Sequence, residues 1–216
     1  MCVMMPLKTE LHCHNIFSNG HVGALEPTYD CNVTIPKQLE QAYLAGLDVL
    51  FVTNHNTIGG YVQMLEYKKN HQKFDTLSVY PAEEVTTNNE SHVLVYGIDH
   101  SIKSGLSLHE VLDEAKKQDA VTIAPHPFSL LDALREDSIY CDLFEAFNSS
   151  NVDVYSNLRA KKFAKEKSLH IVAGSDSHVQ STIGRSTNLI YSENKLDSVI
   201  AAMKHHKIII ENTGYV

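Results

Sequence analysis

Arginine is scarce in this chain. Only Arg135, Arg159 and Arg185 stand among 18 basic residues, against 26 acidic ones, and the formal net charge is −8. That balance excludes a general nucleic-acid or anionic-membrane surface, while leaving room for a local basic pocket. Cysteine is sparse too: Cys2, Cys13, Cys31 and Cys141 form no CxxC pair and read as reduced thiols in a cytoplasmic protein. The N-terminal MCVMMPLKTE has no basic stretch followed by an apolar one, so a secretory signal is not expected. No apolar run approaches the ~20 residues of a membrane-spanning helix. Histidine, by contrast, is abundant, with 13 residues. At 216 residues, 43% hydrophobic and 20% charged, the composition is that of one folded domain, 1–216, with a core that needs no disulfide.

Short apolar runs alternate with helical patterns along the whole length. The runs lie at 6–11, 49–53, 77–81, 93–96, 121–124, 143–147, 171–173, 188–191 and 208–211. Helix-compatible spacing fills 36–45, 57–70, 108–118, 152–167 and 195–205. Pro36 suits a first helical turn and Gly46 a C-terminal stop, while Ser107 followed by Glu110 reads as a capping box. Strands alternating with helices imply parallel pairing and an α/β domain, and about seven such units suit a compact barrel better than an open sheet.

The chemically distinctive residues sit where strand runs stop. His12 and His14 follow the first run; alternate strand residues share a face, so the HxH pair directs two imidazoles into one space. His55 follows DVLFVTN, Glu84 follows LSVYPAE, His92 opens HVLVYG, His126 follows AVTIAP, and Asp176 and His178 follow HIVAGS. Each alone has a bland alternative: a strand-terminal cap for His55, a turn residue for His126, an N-cap and a surface imidazole for Asp176 and His178. Their conjunction at successive strand ends favours a polynuclear divalent site. Imidazole with carboxylate and no thiol suits Zn, Fe or Mn. His71, His100, His109, His170, His205 and His206 lack such placement and are expected outside it.

The segments ELHCHNIFSNG, AGLDVLFVTNHNTIGG, YPAEEVTT with SHVLVYG, APHPF, FEAFNSS and GSDSH resemble, in order, the motifs of the polymerase and histidinol phosphatase (PHP) family. The resemblance runs from about Leu7 to the C-terminus. It implies an α/β fold, a distorted seven-stranded (β/α) barrel of PHP type, with two or three divalent metal ions (Zn, Fe or Mn). The family's ligands fall on His12, His14, His55, Glu84, His92, His126, Asp176 and His178, with Glu84 preferred to Glu83. Two departures stand out, Asn19 where the family commonly has the aspartate of SDG, and Asn54 where it commonly has that of TDH. An amide oxygen still coordinates but supplies less charge. Asn19 is therefore carried as a candidate, weaker ligand, with His21 as its alternative; the change equally suits neutral variation in a working site. Asn19→Asp is expected to raise metal occupancy. Glu10 is expected to orient a ligand histidine.

The activity implied is metal-dependent phosphoesterase chemistry on a small phosphorylated substrate, a phosphomonoester or a nucleotide-type phosphoester. His126 and His178 are candidate general acids, and Arg185, ahead of Arg159, is a candidate phosphate-binding cation. Glu145 and Asn148 are expected to line the pocket. Two alternatives remain: a non-catalytic metal-binding accessory domain, favoured if Asn19 and Asn54 disable a metal, and hydrolysis of another bond such as an amide.

Overall fold

Helix boundaries follow capping chemistry in the computed structural model, which describes residues 5–20 and 30–215. Helix α1 (Ile35–Leu44) carries Pro36 in its first turn and buries Ile35, Gln38, Leu39 and Ala42, an i, i+3, i+4, i+7 stripe. Gly46, at φ +66°, supplies the left-handed residue that ends it. Helix α2 is Gly59–Lys68. Helix α3 (Leu108–Lys117) opens on the expected box, with Ser107 Oγ accepting from the Glu110 N–H and the Glu110 carboxylate accepting from the Ser107 N–H. Helix α4 (Val154–Lys167) starts later than its apolar spacing predicts because Asp153 caps it, accepting from the Ser156 N–H at 2.8 Å. Helix α5 is Leu196–Lys204.

Each apolar run contains a strand: β1 (Leu7–Glu10), β2 (Val49–Val52), β3 (Ser78–Thr86), β4 (His92–Tyr96), β5 (Val121–Ala124), β6 (Leu143–Asn148), β7 (Ile171–Gly174), β8 (Ser186–Ile190) and β9 (Ile208–Thr213). They form one sheet in the order β7-β6-β5-β4-β3-β2-β1-β8-β9. The expected seven strands are thus nine. β1, β2 and β3 pair in parallel, as do β5, β6 and β7. β4 runs against both its neighbours, and against β3 because the turn at 87–91 is too short for a crossover. β8 and β9 add an antiparallel pair beyond β1.

The sheet curls until it nearly closes. The Asn188 amide on β8 mimics a strand residue, donating to the Ala173 carbonyl at 2.7 Å and accepting from the Ala173 N–H at 2.9 Å on β7. Beyond the strand ends Cys13 pairs with Ser177, and the Asp176 N–H donates to the His12 carbonyl at 2.8 Å. The barrel interior is packed by Val49, Phe51, Leu94, Tyr96, Ile123 and Leu143, with Val199, Ile200 and Met203 of α5 in the same cluster. Gly97 shows where α5 lies: a Cβ there would come within 2.8 Å of the Ile200 side chain. Since β4 is reversed, Gly97 marks the N-terminal end of its neighbours. α5 therefore plugs that end, and the opposite end, where the parallel strands finish, is left for the polar residues. No helix among the described residues is long and apolar enough to cross a membrane.

Candidate metal centre

Glu84 is the hub. As β1 runs on, Leu11 and Cys13 pack into two different core clusters, while His12 and His14, also buried, both turn Nε2 to Glu84. His55 pairs with Glu84 by a parallel bridge just past β2, so the second strand delivers its imidazole to the third. Oε2 of Glu84 then lies 3.2 Å from Nε2 of His12, 3.2 Å from Nε2 of His14 and 3.6 Å from Nδ1 of His55. Oε1 faces Nδ1 of His92 at 3.0 Å and Nε2 of His126 at 3.1 Å. Asp176 Oδ1 closes the cluster, 3.4 Å from His12, 3.3 Å from His14 and 3.5 Å from Nδ1 of His178. Glu83, one residue away, points to the other face and accepts from the Ile102 N–H at 2.5 Å.

A carboxylate that sequence reasoning did not single out joins them. Asp30 Oδ1 lies 3.0 Å from Nε2 of His178 and 3.7 Å from Nε2 of His55, and its Oδ2 is 3.8 Å from Nδ1 of His14. Asp30 follows no strand and stands at no motif spacing, so the sequence carried no signal for it. Among the described residues, three groups of potential ligand atoms result, each within 4.8 Å: His14, Asp30, His55 and His178; His12, His14, Glu84 and Asp176; and His55, Glu84 and His92.

These groups fit divalent cations. Among the described residues, Nε2 of His14, Nδ1 of His55, His92 and His126, and Oδ2 of Asp30 are buried without a hydrogen-bond partner, whereas buried polar atoms are ordinarily satisfied. Metal–ligand bonds of ~2.1 Å place neighbouring ligand atoms roughly 3–3.5 Å apart, close to the spacing around Glu84. Burial opposes charge on Glu84, yet His92, His12 and His55 hold its carboxyl well below the usual range. Burial likewise opposes ionisation of Asp176, but His12, His14 and His178 hold it well below. His12 is pushed well above the ordinary imidazole value, against burial, by Asp176, Glu145 and Glu84. His178 rises to about 9 against burial, through Asp30 and Asp176. Burial takes His55 the other way, down to about 3.

Two residues of the cluster are held in left-handed backbone, His126 at φ +28° and Asp176 at φ +50°, a cost that surrounding contacts must offset. The His126 N–H donates to Glu145 Oε2 at 2.6 Å. Asn148, on the same strand, donates to that oxygen at 2.9 Å and to Asp176 Oδ2 at 3.2 Å. Glu10 holds backbone rather than an imidazole: it accepts from the N–H groups of His12 and Ser175 at 3.2 Å and of Gly184 at 2.9 Å. Burial raises its carboxyl to about 7.

Several sequence expectations are corrected. Asn19 is not turned to the imidazoles: its Oδ1 accepts from the Asp30 and Cys31 N–H groups at 2.6 and 3.1 Å, and its Nδ2 donates to the Cys31 carbonyl at 2.9 Å. Asn54 likewise spends its amide on framework, donating to Asn15 Oδ1 at 2.9 Å and accepting from the Asn15 N–H at 2.8 Å. Arg185 is exposed and donates to the carbonyls of Ser181 and Tyr215. His21 lies outside the described residues. His71, exposed, is stacked on Tyr67, and His170 on His206, away from the cluster.

A cavity of about 280 Å³ opens over the centre, lined by Asp30, Glu84, His92, His126, Asp176 and His178 among others. A larger one, about 640 Å³, adjoins it across Ser129 and is lined by Phe128, Tyr155, Arg135, Arg159 and Lys162. Arg159 lies over the Phe128 ring at 4.3 Å and pairs with Glu136 at 3.1 Å.

Residues 154–208 match the PHP-associated family model PHP_C. The chain is 32% identical over 166 residues to the uncharacterized protein MJ1587 of Methanocaldococcus jannaschii, covering 74% of this chain and 93% of that protein. In fold it is similar to PsfC of Pseudomonas syringae, with a TM-score of 0.70, 18% identity, and coverage of 97% and 93% of the two chains. It is also similar to a candidate metal-dependent phosphoesterase of Bifidobacterium adolescentis, with a TM-score of 0.60, 16% identity, and coverage of 80% and 88%. Taken with the imidazole and carboxylate cluster at the strand ends, these matches establish that the chain belongs to the PHP-domain family.

Proposed function

We propose that this chain is a metal-dependent phosphoesterase acting on a small phosphorylated substrate, a phosphomonoester or a nucleotide-type ester. The observation that carries the reading is the single carboxylate of Glu84 shared by five imidazoles, three on one oxygen and two on the other. A carboxylate so placed suits two cations held side by side. His12, His14 and Asp176 would hold one ion together with Glu84, and His92 and His126 would hold a second with the same carboxylate. Such ions, when bound, supply Lewis acidity that activates water and neutralises charge on a phosphoryl group.

The chain's own residues supply the rest. Glu145 and Asn148 hold His12, His126 and Asp176 in place. His126 and His178, each turned to a carboxylate, serve as ligands rather than as the proton donors their position in the sequence allows. The cationic part assigned to Arg185 passes to Arg135, Arg159 and Lys162, which line the adjoining cavity and can face the anionic remainder of a phosphoester. That cationic wall favours a phosphate ester over an amide. Asp30 gives the cluster a carboxylate that Asn19 and Asn54 do not, which tells against the accessory-domain alternative. The similarity in fold to a candidate phosphoesterase supports the same reading.

The test is hydrolysis of p-nitrophenyl phosphate and bis(p-nitrophenyl) phosphate by protein loaded with Mn²⁺ or Zn²⁺. Turnover that is abolished by chelation and restored by metal is expected. Fully loaded protein that cleaves neither ester overturns the proposal.

A further inference from the structure

The end of the centre around Asp30 departs most from the expected ligand pattern. His55 and His178 reach it from β2 and β7, and the motif that commonly supplies an aspartate there supplies Asn19. The carboxylate actually present is that of Asp30. It is nearly buried, with its side chain 7% exposed, and sits within 3.0 to 3.8 Å of three imidazoles. Among the described residues its Oδ2 has no hydrogen-bond partner.

Asn19 explains how Asp30 comes to be there. One amide closes both sides of the Asp30–Cys31 segment: Oδ1 gathers two consecutive N–H groups and Nδ2 takes the Cys31 carbonyl. Cys31 is itself buried at 1% exposure, which anchors the segment in the core beside α1. Only a side chain with both a donor and an acceptor makes this clamp. A carboxylate at position 19 keeps the acceptor but sets an oxygen against the Cys31 carbonyl, where no proton is available.

We infer that Asp30 is the carboxylate ligand of a divalent ion shared with His55 and His178, and that Asn19 is its positioning residue rather than a ligand. The aspartate of the usual motif has in effect been moved along the chain, and the asparagine left behind holds its replacement. This assignment rests on the reading of the cluster as a metal centre. It reverses the expectation from sequence alone, because Asn19→Asp should now weaken metal binding instead of strengthening it.

The experiment is a titration of the full chain with Mn²⁺ and with Zn²⁺, read by calorimetry and by elemental analysis after gel filtration. Thermal midpoints of the metal-free proteins report folding. Asp30→Asn is expected to bind one equivalent fewer than the unsubstituted chain. Asn19→Ala and Asn19→Asp are both expected to bind the same ion about tenfold or more weakly, the size of loss typical when a ligand's support is removed. Glu114→Gln, on α3 and paired with Lys117, serves as the charge control and should bind normally. Unchanged stoichiometry and affinity in Asp30→Asn overturn the assignment, as does a gain of affinity in Asn19→Asp. If Asp30→Asn fails to fold, the two Asn19 variants still decide, in the same directions. An unsubstituted chain that binds neither metal overturns the metal reading itself, whereas one that binds metal but cleaves no phosphoester overturns only the proposed activity.

Discussion

Glu145 Oε1 lies 3.0 Å from Nδ1 of His12, across the ring from the nitrogen that faces Glu84 and Asp176. A carboxylate only accepts, so the Nδ1 proton is committed to Glu145 and Nε2 is left between two further carboxylates. Either a second proton or a metal cation reconciles that arrangement. In the metal-free protein it is the proton, as the raised His12 value reflects.

Metal binding should therefore release protons. His12 and His126 are raised above the ordinary imidazole value, so both hold a proton more tightly than a free imidazole does, and His178, raised to about 9, carries one at pH 7 without metal. Ligation requires the neutral rings. Adding Zn²⁺ to weakly buffered protein at pH 7 should release at least one proton per chain, and less as the pH is raised beyond 9. A pH-stat or indicator titration measures it, and binding without proton release would contradict the reading.

The Glu145–His12 contact depends on Gly174 having no side chain. A Cβ at Gly174 would lie 1.9 Å from Glu145 Oε1 and 2.7 Å from the His12 Cβ. Gly174→Ala should destabilise the metal-free chain by about 2 kcal/mol, as overpacking does, and should weaken metal binding as well. Urea denaturation checks the first and calorimetry the second. Wild-type values in both would show that the packing at β7 is looser than described.

Glu83 gives the fold a pH dependence separate from the metal. Burial raises its carboxyl from about 4.5 to about 7, and the hydrogen bond from Ile102 offsets this only in part. The folded state thus binds the Glu83 proton more tightly than the unfolded chain does. The neutral form stabilises fully below pH 4.5, and stability drains away as the pH rises through 7, by up to about 3 kcal/mol from this residue. Glu83→Gln keeps the acceptor for Ile102 and removes the titration. It should be more stable than the unsubstituted metal-free chain at pH 8 and show a flatter profile from pH 5 to 8. Parallel profiles for the two proteins would exclude Glu83 as the source.

Histidines inside and outside the cluster should behave oppositely. His126→Ala removes the ring that faces Glu84 Oε1 and should lower Mn²⁺-dependent hydrolysis at least a hundredfold, together with metal affinity. His71→Ala removes an exposed ring stacked on Tyr67 and should leave both within twofold. Kinetics and metal titration on the two variants suffice, and equal losses would mean that the convergence at Glu84 does not organise the site.

The sequence by itself determined the elements and the side of each strand on which the chemistry lies. Every apolar run holds a strand, and Ser107 with Glu110 starts a helix, because burial patterns and caps are local and repeat with the period of the backbone. The same period carries His12 and His14 to one face and separates Glu84 from Glu83. The tertiary structure decided what depends on distant segments meeting. The reversal of β4 and the antiparallel pairing of β8 and β9 beyond β1 were set by segments meeting, and the Asn188 bridge to β7 helps the sheet close. Asp30 reaches the imidazoles from a segment with no periodicity of its own. Arg185 is drawn off to the carbonyls of Ser181 and Tyr215. Asn19 and Asn54 look in the sequence like metal ligands that have lost their charge. In the fold their amide donors are the reason they are there, since each holds a neighbouring loop by a hydrogen bond that a carboxylate has no proton to make.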